Sequence, residues 1–308
     1  MTDSQLSLKK KKINMAKSFE NREGWIWYDG KLVKWNDAKT HVIGQGLHYA
    51  SAVFEGERAY NGKIFKSEQH TKRLFKSAET IGIKIPFSEE EINNAKDDLI
   101  KKMNYKDCYV RPFAWRGGKL MGLSTTNSDV HVSIAVWDDW TTYYKLEDMK
   151  HGLTLITSPW KRPSPDSIPF EAKASGPYLI CTLSKSFAED NGYNEALMLD
   201  YRGYVAEATS SNIFLIKGND IHTPIPDCFL NGITRQTVIE MVKNQGFNLV
   251  ERYIKPDELE NFDEAFLTGT AAEITPVKSI DSLKFKTGDN TTTFKFMKDY
   301  RKIVNNIN

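Results

Sequence analysis

Apolar and polar positions along the chain follow two periods, and the changes of period mark the elements. Alternating runs broken by tight-turn dipeptides come first. Trp25-Ile26-Trp27-Tyr28 and Lys31 to Trp35 flank Asp29-Gly30, and Val53 to Tyr60 and Lys63 to Phe65 flank Asn61-Gly62. Both dipeptides accept the positive backbone angles of a type I′ turn, so two hairpins are expected. The period then lengthens. Leu74, Phe75, Ala78 and Ile81 recur at helical spacing. Ser67 is expected to cap that helix, with Glu68 at its positive end and Gly82 at its stop. Ser88 and Glu91 have the spacing of a capping box and open a second helix to about Met103. Cys108 to Trp115 and Val130 to Trp137 read as strands.

The segment from Asp138 to Gly152 is polar and aromatic without a clear period, and a domain junction is expected there. Beyond it come a strand (Leu153 to Ser158), a proline-rich loop (Pro159 to Pro169) and a helix (Pro177 to Glu189). A hairpin turns at Arg202-Gly203, and a further strand runs to Lys217. Asn231-Gly232 leads into a helix from Thr234 to Asn244. Glu264 to Leu267 is a strand ending at Gly269-Thr270-Ala271-Ala272, and a last helix holds Phe294 to Val304. Strands and helices mix with many hairpins, so the class is α+β rather than a doubly wound sheet. There is no internal repeat, and no Gly-x-Gly-x-x-Gly nucleotide fingerprint.

Composition narrows the picture. A length of 308 residues suits two domains. We expect a polar, disordered tail over 1–23, a small N-terminal domain over 24–140, a linker over 141–152 and a larger domain over 153–308. The net charge is +2, and part of it sits in the run Lys9 to Lys12. The folded body therefore carries little net charge, which argues against a dedicated nucleic-acid binder with its basic face. No apolar run reaches the ~18 residues that span a bilayer, and no hydrophobic core follows the charged N-terminus as in a secretory signal. Cys108, Cys181 and Cys228 are odd in number and far apart, which fits neither a disulfide framework nor a metal site. A cytoplasmic protein that binds neither nucleic acid nor membrane is the expectation.

Several segments, in order, carry a more specific signal. They are Leu47-His48-Tyr49-Ala50-Ser51-Ala52-Val53-Phe54-Glu55-Gly56, Tyr109-Val110-Arg111-Pro112, and Glu171-Ala172-Lys173-Ala174-Ser175-Gly176-Pro177-Tyr178-Leu179. Gly203 to Glu207 with Ser211 to Phe214, Gly232-Ile233-Thr234-Arg235, and Gly269 to Val277 complete the set. Together they resemble the branched-chain amino-acid aminotransferases of the class IV, fold type IV pyridoxal-phosphate enzymes. The resemblance implies a two-domain, D-amino-acid-aminotransferase-like fold, with a small N-terminal α/β domain and a larger cofactor-binding domain built on a β-barrel-like core. It implies pyridoxal 5′-phosphate as cofactor and transfer of the amino group of L-leucine, L-isoleucine or L-valine to 2-oxoglutarate by a ping-pong route. It also implies a homodimer or a dimer-based hexamer.

The same resemblance gives roles to residues. Lys173 forms the Schiff base and then moves the substrate α-proton; its small neighbours Ala172, Ala174, Ser175 and Gly176 leave room for a bulky group. Glu207 meets the pyridine nitrogen, and Tyr178 the phenolic oxygen. Arg73, Ile233, Thr234 and Thr270 form the phosphate cup, where a helix N-terminus supplies free amides. Arg111 with Tyr49 is expected to meet the γ-carboxylate of glutamate. Phe54, Trp137 and Trp140 form the apolar wall, and the Thr270 and Ala271 amides with Tyr109 hold the α-carboxylate. Arg58 stands near the same edge without an assigned role.

The chain departs from the family pattern at Ser175-Gly176-Pro177, at Glu57, where an apolar residue is common, and over Arg116 to Gly122. Glu57 is expected to lie near the pocket and to bear on substrate preference. Two other activities share the lysine and the glutamate, D-amino-acid transamination and aminodeoxychorismate lysis. Tyr109-Val110-Arg111-Pro112 and Gly269 to Glu273 favour the branched-chain reading.

Overall fold

The computed structural model describes residues 18–119, 122–139 and 149–305. Its strands form two sheets.

The first sheet holds β1 (Trp25–Tyr28), β2 (Lys31–Lys34), β3 (Ala52–Phe54), β4 (Glu57–Tyr60), β5 (Lys63–Ile64), β6 (Cys108–Arg116) and β7 (Val130–Trp137). The order is β2-β1-β7-β6-β4-β5, with β3 also on β6. Both expected hairpins form. Asp29 and Gly30 have φ of 47° and 84°, and Asn61 and Gly62 have 50° and 81°. The run read as one strand from Val53 to Tyr60 is broken at Glu55-Gly56 into β3 and β4. Among the described residues, the α-helices of this half are the short α1 (Gln45–His48), α2 (Ser67–Thr80) and α3 (Glu89–Met103). The capping box forms in full, with Glu91 N donating to Ser88 Oγ at 3.1 Å and Ser88 N donating to Glu91 Oε2 at 2.7 Å. The expected Ser67 cap does not form. Lys66, at φ 52°, is the residue before the helix and no side chain caps it; the Ser67 hydroxyl instead donates to Asn93 on α3. Leu74 and Ala78 on α2, and Ile92, Leu99 and Ile100 on α3, pack against Val110, Val132, Ile134 and Val136 of the sheet.

Residues 1–17 of the expected tail lie outside the described residues, while within 18–23 the chain is tied to the first sheet. The Trp35 indole donates to the Phe19 carbonyl at 2.8 Å, and Arg22 pairs with Asp139 at 2.8 Å.

The second sheet holds β8 (Leu153–Thr157), β9 (Glu195–Leu199), β10 (Val205–Ala208), β11 (Asn212–Lys217), β12 (Asp220–Thr223), β13 (Asn248–Glu251), β14 (Glu264–Gly269), β15 (Glu273–Ile280) and β16 (Leu283–Lys284). The path β10-β9-β8-β15-β14-β11 closes because β11 pairs back onto β10. Closure into a barrel leaves no free edge among those strands. The continuous apolar run of β11 reflects burial of both its faces. Ile213 and Leu215 pack with Leu155, Leu197, Val205, Ala265, Leu267 and Val277, one residue or more from each barrel strand. Phe214 and Ile216, alternating with them, pack with Phe266 against α5 (Ile233–Asn244) and α6 (Thr292–Asn305), numbered after α4 (Tyr178–Asp190). Among the described residues no helix is long and apolar enough to cross a membrane.

Candidate active site

The two halves of the chain are stitched together beside Lys173. Val53 and Ala174 form an antiparallel bridge. Phe54 N donates to the Lys173 carbonyl at 3.1 Å and Ser175 N to the Ala52 carbonyl at 2.9 Å. Lys173 N donates to Ser77 Oγ on α2 at 3.0 Å. The lysine thus rides on a short extra strand at the edge of β3. Successive side chains of a strand point to opposite faces. Ala172 and Ala174 sink into the core of the first sheet. Lys173 points the other way, into a cavity of about 280 Å³ lined from both sheets.

Lys173 Nζ donates to the Tyr178 hydroxyl at 2.6 Å. Tyr178 opens α4, whose start is set by Pro177. Burial, and then the charge of Arg73, lowers the Lys173 pKa to about 8. Burial, and then the charge of Glu207, raises that of Tyr178. Desolvation favours the neutral form of each.

Glu207 lies on β10 directly across from Asn212 on β11. Arg162 Nη2 is 3.1 Å from Glu207 Oε1, and Asn212 Nδ2 donates to Oε2 at 3.3 Å. Burial outweighs the pull of Arg162 and raises the Glu207 pKa to about 7. Asn212 also donates to the Leu230 carbonyl at 3.0 Å and accepts from Gly232 N at 3.2 Å. It therefore ties the carboxylate to the start of α5. A Cβ at position 232 would run into Asn212 Oδ1, which accounts for the glycine.

No side chain caps α5, so its first-turn amides remain for an anion beside the buried Thr234. Arg73, reaching in from α2, clasps Glu55 through Nε at 2.6 Å and Nη2 at 2.8 Å. Its Nη1 is buried without a partner, as is the Thr268 hydroxyl next to the turn Gly269-Thr270-Ala271. A buried orphan donor costs about 1–3 kcal/mol. Both residues line the cavity. A phosphate whose oxygens accept from these groups removes that cost, so the residues present fit pyridoxal phosphate.

One wall is aromatic. The Phe54 ring meets Tyr178 edge-on at 4.8 Å between centroids, and Tyr109 lies 4.8 Å from Trp137. Arg111 sits over Phe54, and its Nη2 donates to the Tyr109 hydroxyl at 3.0 Å. A Cβ on Gly56 would strike that hydroxyl.

The structure thus brings together Arg73, Lys173, Tyr178, Glu207, Ile233, Thr234, Phe54, Tyr109, Arg111, Trp137, Thr270 and Ala271 around one cavity. Tyr49 does not join them within the chain. It is 43% exposed, and the partner of Arg111 is Tyr109 instead. Trp140 lies outside the described residues, as do Leu120 and Met121 of the divergent loop.

The expectation for Glu57 is overturned. Its carboxylate is fully buried under α3, 2.8 Å from Lys96 Nζ, and it is absent from the cavity wall. Arg58, left without a role above, pairs with Glu273 at 2.7 Å. Glu273 also accepts from Tyr60 at 2.9 Å and from Arg301 at 2.9 Å, which joins both sheets and α6 behind the Thr270 turn. Sequence reasoning missed Arg162, because its proline-rich surroundings carry no period. A buried glutamate calls for a cation, but not from any particular loop.

Among the described residues one group has metal-like spacing, Asp200, Asp227 and Cys228. Arg202 already pairs with both carboxylates.

Comparison with known proteins agrees with this geometry. The family model for class IV amino-transferases matches residues 52–280, and the chain belongs to that family. Within it, branched-chain-amino-acid aminotransferases are among the proteins this chain is similar to. A probable branched-chain-amino-acid aminotransferase of Rickettsia bellii is 41% identical over 292 residues, which is 94% of this chain and 99% of that protein. The branched-chain-amino-acid aminotransferase of Pseudomonas aeruginosa is 42% identical, covering 93% of this chain and 95% of its own. The crystal structure of the branched-chain amino acid aminotransferase from Thermobaculum terrenum, in its pyridoxal-phosphate holo-form, superposes with a TM-score of 0.82 at 31% identity, over 93% of this chain and 95% of that one.

Proposed function

We propose that the chain transfers the amino group of L-leucine, L-isoleucine or L-valine to 2-oxoglutarate, with pyridoxal 5′-phosphate bound through Lys173. The observation that carries this is the placement of Lys173 and Glu207 on one cavity that also holds orphaned donors on Arg73 and Thr268.

When bound, the cofactor supplies an electron sink for the charge left at the substrate α-carbon. The chain's own groups do the rest. Glu207, steadied by Arg162 and Asn212, holds the ring nitrogen's proton. Tyr178 donates to the phenolic oxygen. Arg73, the Ile233 and Thr234 amides and Thr270 hold the phosphate. Lys173 Nζ, freed by the substrate amine, takes the proton from the substrate α-carbon and delivers it to C4′ of the cofactor, which is where amino transfer needs it. The Thr270 and Ala271 amides with Tyr109 orient the α-carboxylate. Phe54 and Trp137 exclude water around an aliphatic side chain, and Arg111 meets the γ-carboxylate when glutamate takes its place.

A second copy completes the site. Tyr49 is exposed together with Val42, Ile43 and Leu47 on the segment around α1. A patch of that kind calls for a partner, and a homodimer lets Tyr49 reach the neighbouring cavity. The two sheets with their helices act as two domains. The three cysteines are free and buried, which fits a reducing compartment, and we place the enzyme in the cytoplasm.

The test is the absorbance spectrum of the purified protein before and after L-leucine without an acceptor. A near-visible band that shifts on addition supports cofactor, half-reaction and substrate class together. A band that answers only D-alanine removes the substrate assignment. No band after pyridoxal phosphate is supplied removes the reading itself.

A further inference from the structure

We propose that Glu55 and His70 are positioning residues, which lock the Arg73 guanidinium so that one nitrogen faces the cofactor phosphate. The inference rests on the cofactor reading above.

Glu55 occupies the break between β3 and β4 and is fully buried. Its backbone N donates to the Pro112 carbonyl at 2.8 Å, which fixes the main chain against β6. Its carboxylate accepts from Arg73 Nε and Nη2 in a two-pronged clasp. It also contacts His70 Nδ1 at 2.7 Å and accepts from Gly56 N at 3.2 Å. His70 and Arg73 are three residues apart on α2, so both face the same side. The clasp uses two of the three guanidinium nitrogens, and the third, Nη1, is the buried orphan. A planar guanidinium held at two corners has its third corner aimed without rotamer search. Burial alone would raise the Glu55 pKa, yet Arg73 and His70 together hold it well below the usual carboxylate range, so the clasp stays charged. An ion pair this deep contributes little stability by itself. Its evident use is direction: without Glu55, Arg73 keeps its charge but loses its aim.

The experiment compares binding of pyridoxal phosphate and of pyridoxal, which lacks the phosphate, to the cofactor-stripped full chain by absorbance titration. Glu55→Gln is expected to weaken pyridoxal phosphate binding about tenfold or more while leaving pyridoxal within about twofold. In an Arg73→Gln background, Glu55→Gln is expected to change the ratio of the two affinities no further. Equal loss of both ligands would mean a merely structural role and overturn the assignment, as would an undiminished phosphate preference. If thermal melting shows that Glu55→Gln does not fold, His70→Asn carries the same comparison. A smaller shift in the same direction supports the proposal, and no shift overturns it. A wild-type chain that binds the two ligands alike would remove the cofactor reading itself, a result distinct from the loss of preference in the variants alone.

Discussion

Lys173 Nζ and the Tyr178 hydroxyl are 2.6 Å apart, and burial drives both toward their neutral forms. An amine attacks a carbonyl only when unprotonated, so the lowered lysine pKa places the reactive form near physiological pH.

The rate at which the cofactor-free chain takes up pyridoxal phosphate should therefore rise from pH 7 and level off above about 8. An ordinary lysine would still be gaining at pH 10. The sign for stability follows: the charged amine is disfavoured in the folded state, so Lys173 costs stability below about 8, and the cost fades as pH rises toward 10.5. Stopped-flow absorbance across pH checks the rate. A profile that climbs steadily past pH 10 would contradict the buried-amine picture.

Tyr178→Phe keeps the ring but removes the hydroxyl next to Nζ. The near-visible band should remain, with its pH midpoint displaced, and kcat should fall roughly tenfold. A spectral titration superimposable on wild type would mean that the hydroxyl does not act on the Schiff base.

Glu207→Gln should retain the cofactor yet lose activity on the order of a hundredfold or more, because the ring nitrogen is no longer held protonated. Arg162 remains to donate to the amide oxygen. Steady-state rates with L-leucine and 2-oxoglutarate decide; wild-type kcat in a cofactor-loaded variant would sink the assignment.

The Glu57–Lys96 pair predicts stability without specificity. Both side chains are fully buried, and Lys96 Nζ also donates to Thr71 Oγ1 at 2.8 Å. Removing one partner strands a charge and should cost about 3–5 kcal/mol, so Lys96→Met should melt markedly earlier. Replacing both by apolar residues should recover much of the loss. The KM ratio among leucine, isoleucine and valine should not move in the double variant; a change in that ratio would restore Glu57 to the substrate pocket.

Gly56→Ala should displace Tyr109, whose hydroxyl occupies the space of the new methyl group. With Tyr109 goes its hydrogen bond from Arg111. The expected result is a higher KM for both amino donor and acceptor with the cofactor still bound, read from initial rates.

How far the sequence could be read depended on how local each signal was. The Asp29-Gly30 and Asn61-Gly62 turns and the Ser88 to Glu91 box are fixed within a few residues, and they form as expected. Ser67 had the right type for a cap, but the positive φ of Lys66 starts the helix one residue sooner and Asn93 takes its hydroxyl. The motifs led to the residues lining the cavity, since the chemistry demands those side chains. Their supports were out of reach. Arg162, His70 and Lys96 become necessary only when a carboxylate elsewhere is known to be buried, and burial of Glu55, Glu57 and Glu207 is a property of the assembled sheets. Tyr49 shows a different limit: its exposure is a property of one chain, while its expected task belongs to two.

The bridge between Val53 and Ala174 also bears on how the chain is made. The core of the first sheet includes Ala172 and Ala174, more than a hundred residues after β3. A nascent chain halted at the end of β7 would have all seven strands of that sheet but not the segment that closes its edge. That edge of the first sheet is therefore completed only after synthesis has passed Ser175, and such long-range closure is slow. Lys173 arrives on the same segment that seals that edge. The reactive amine is thus installed by the event that finishes the N-terminal core, and a chain cut short of that point lacks Lys173 itself.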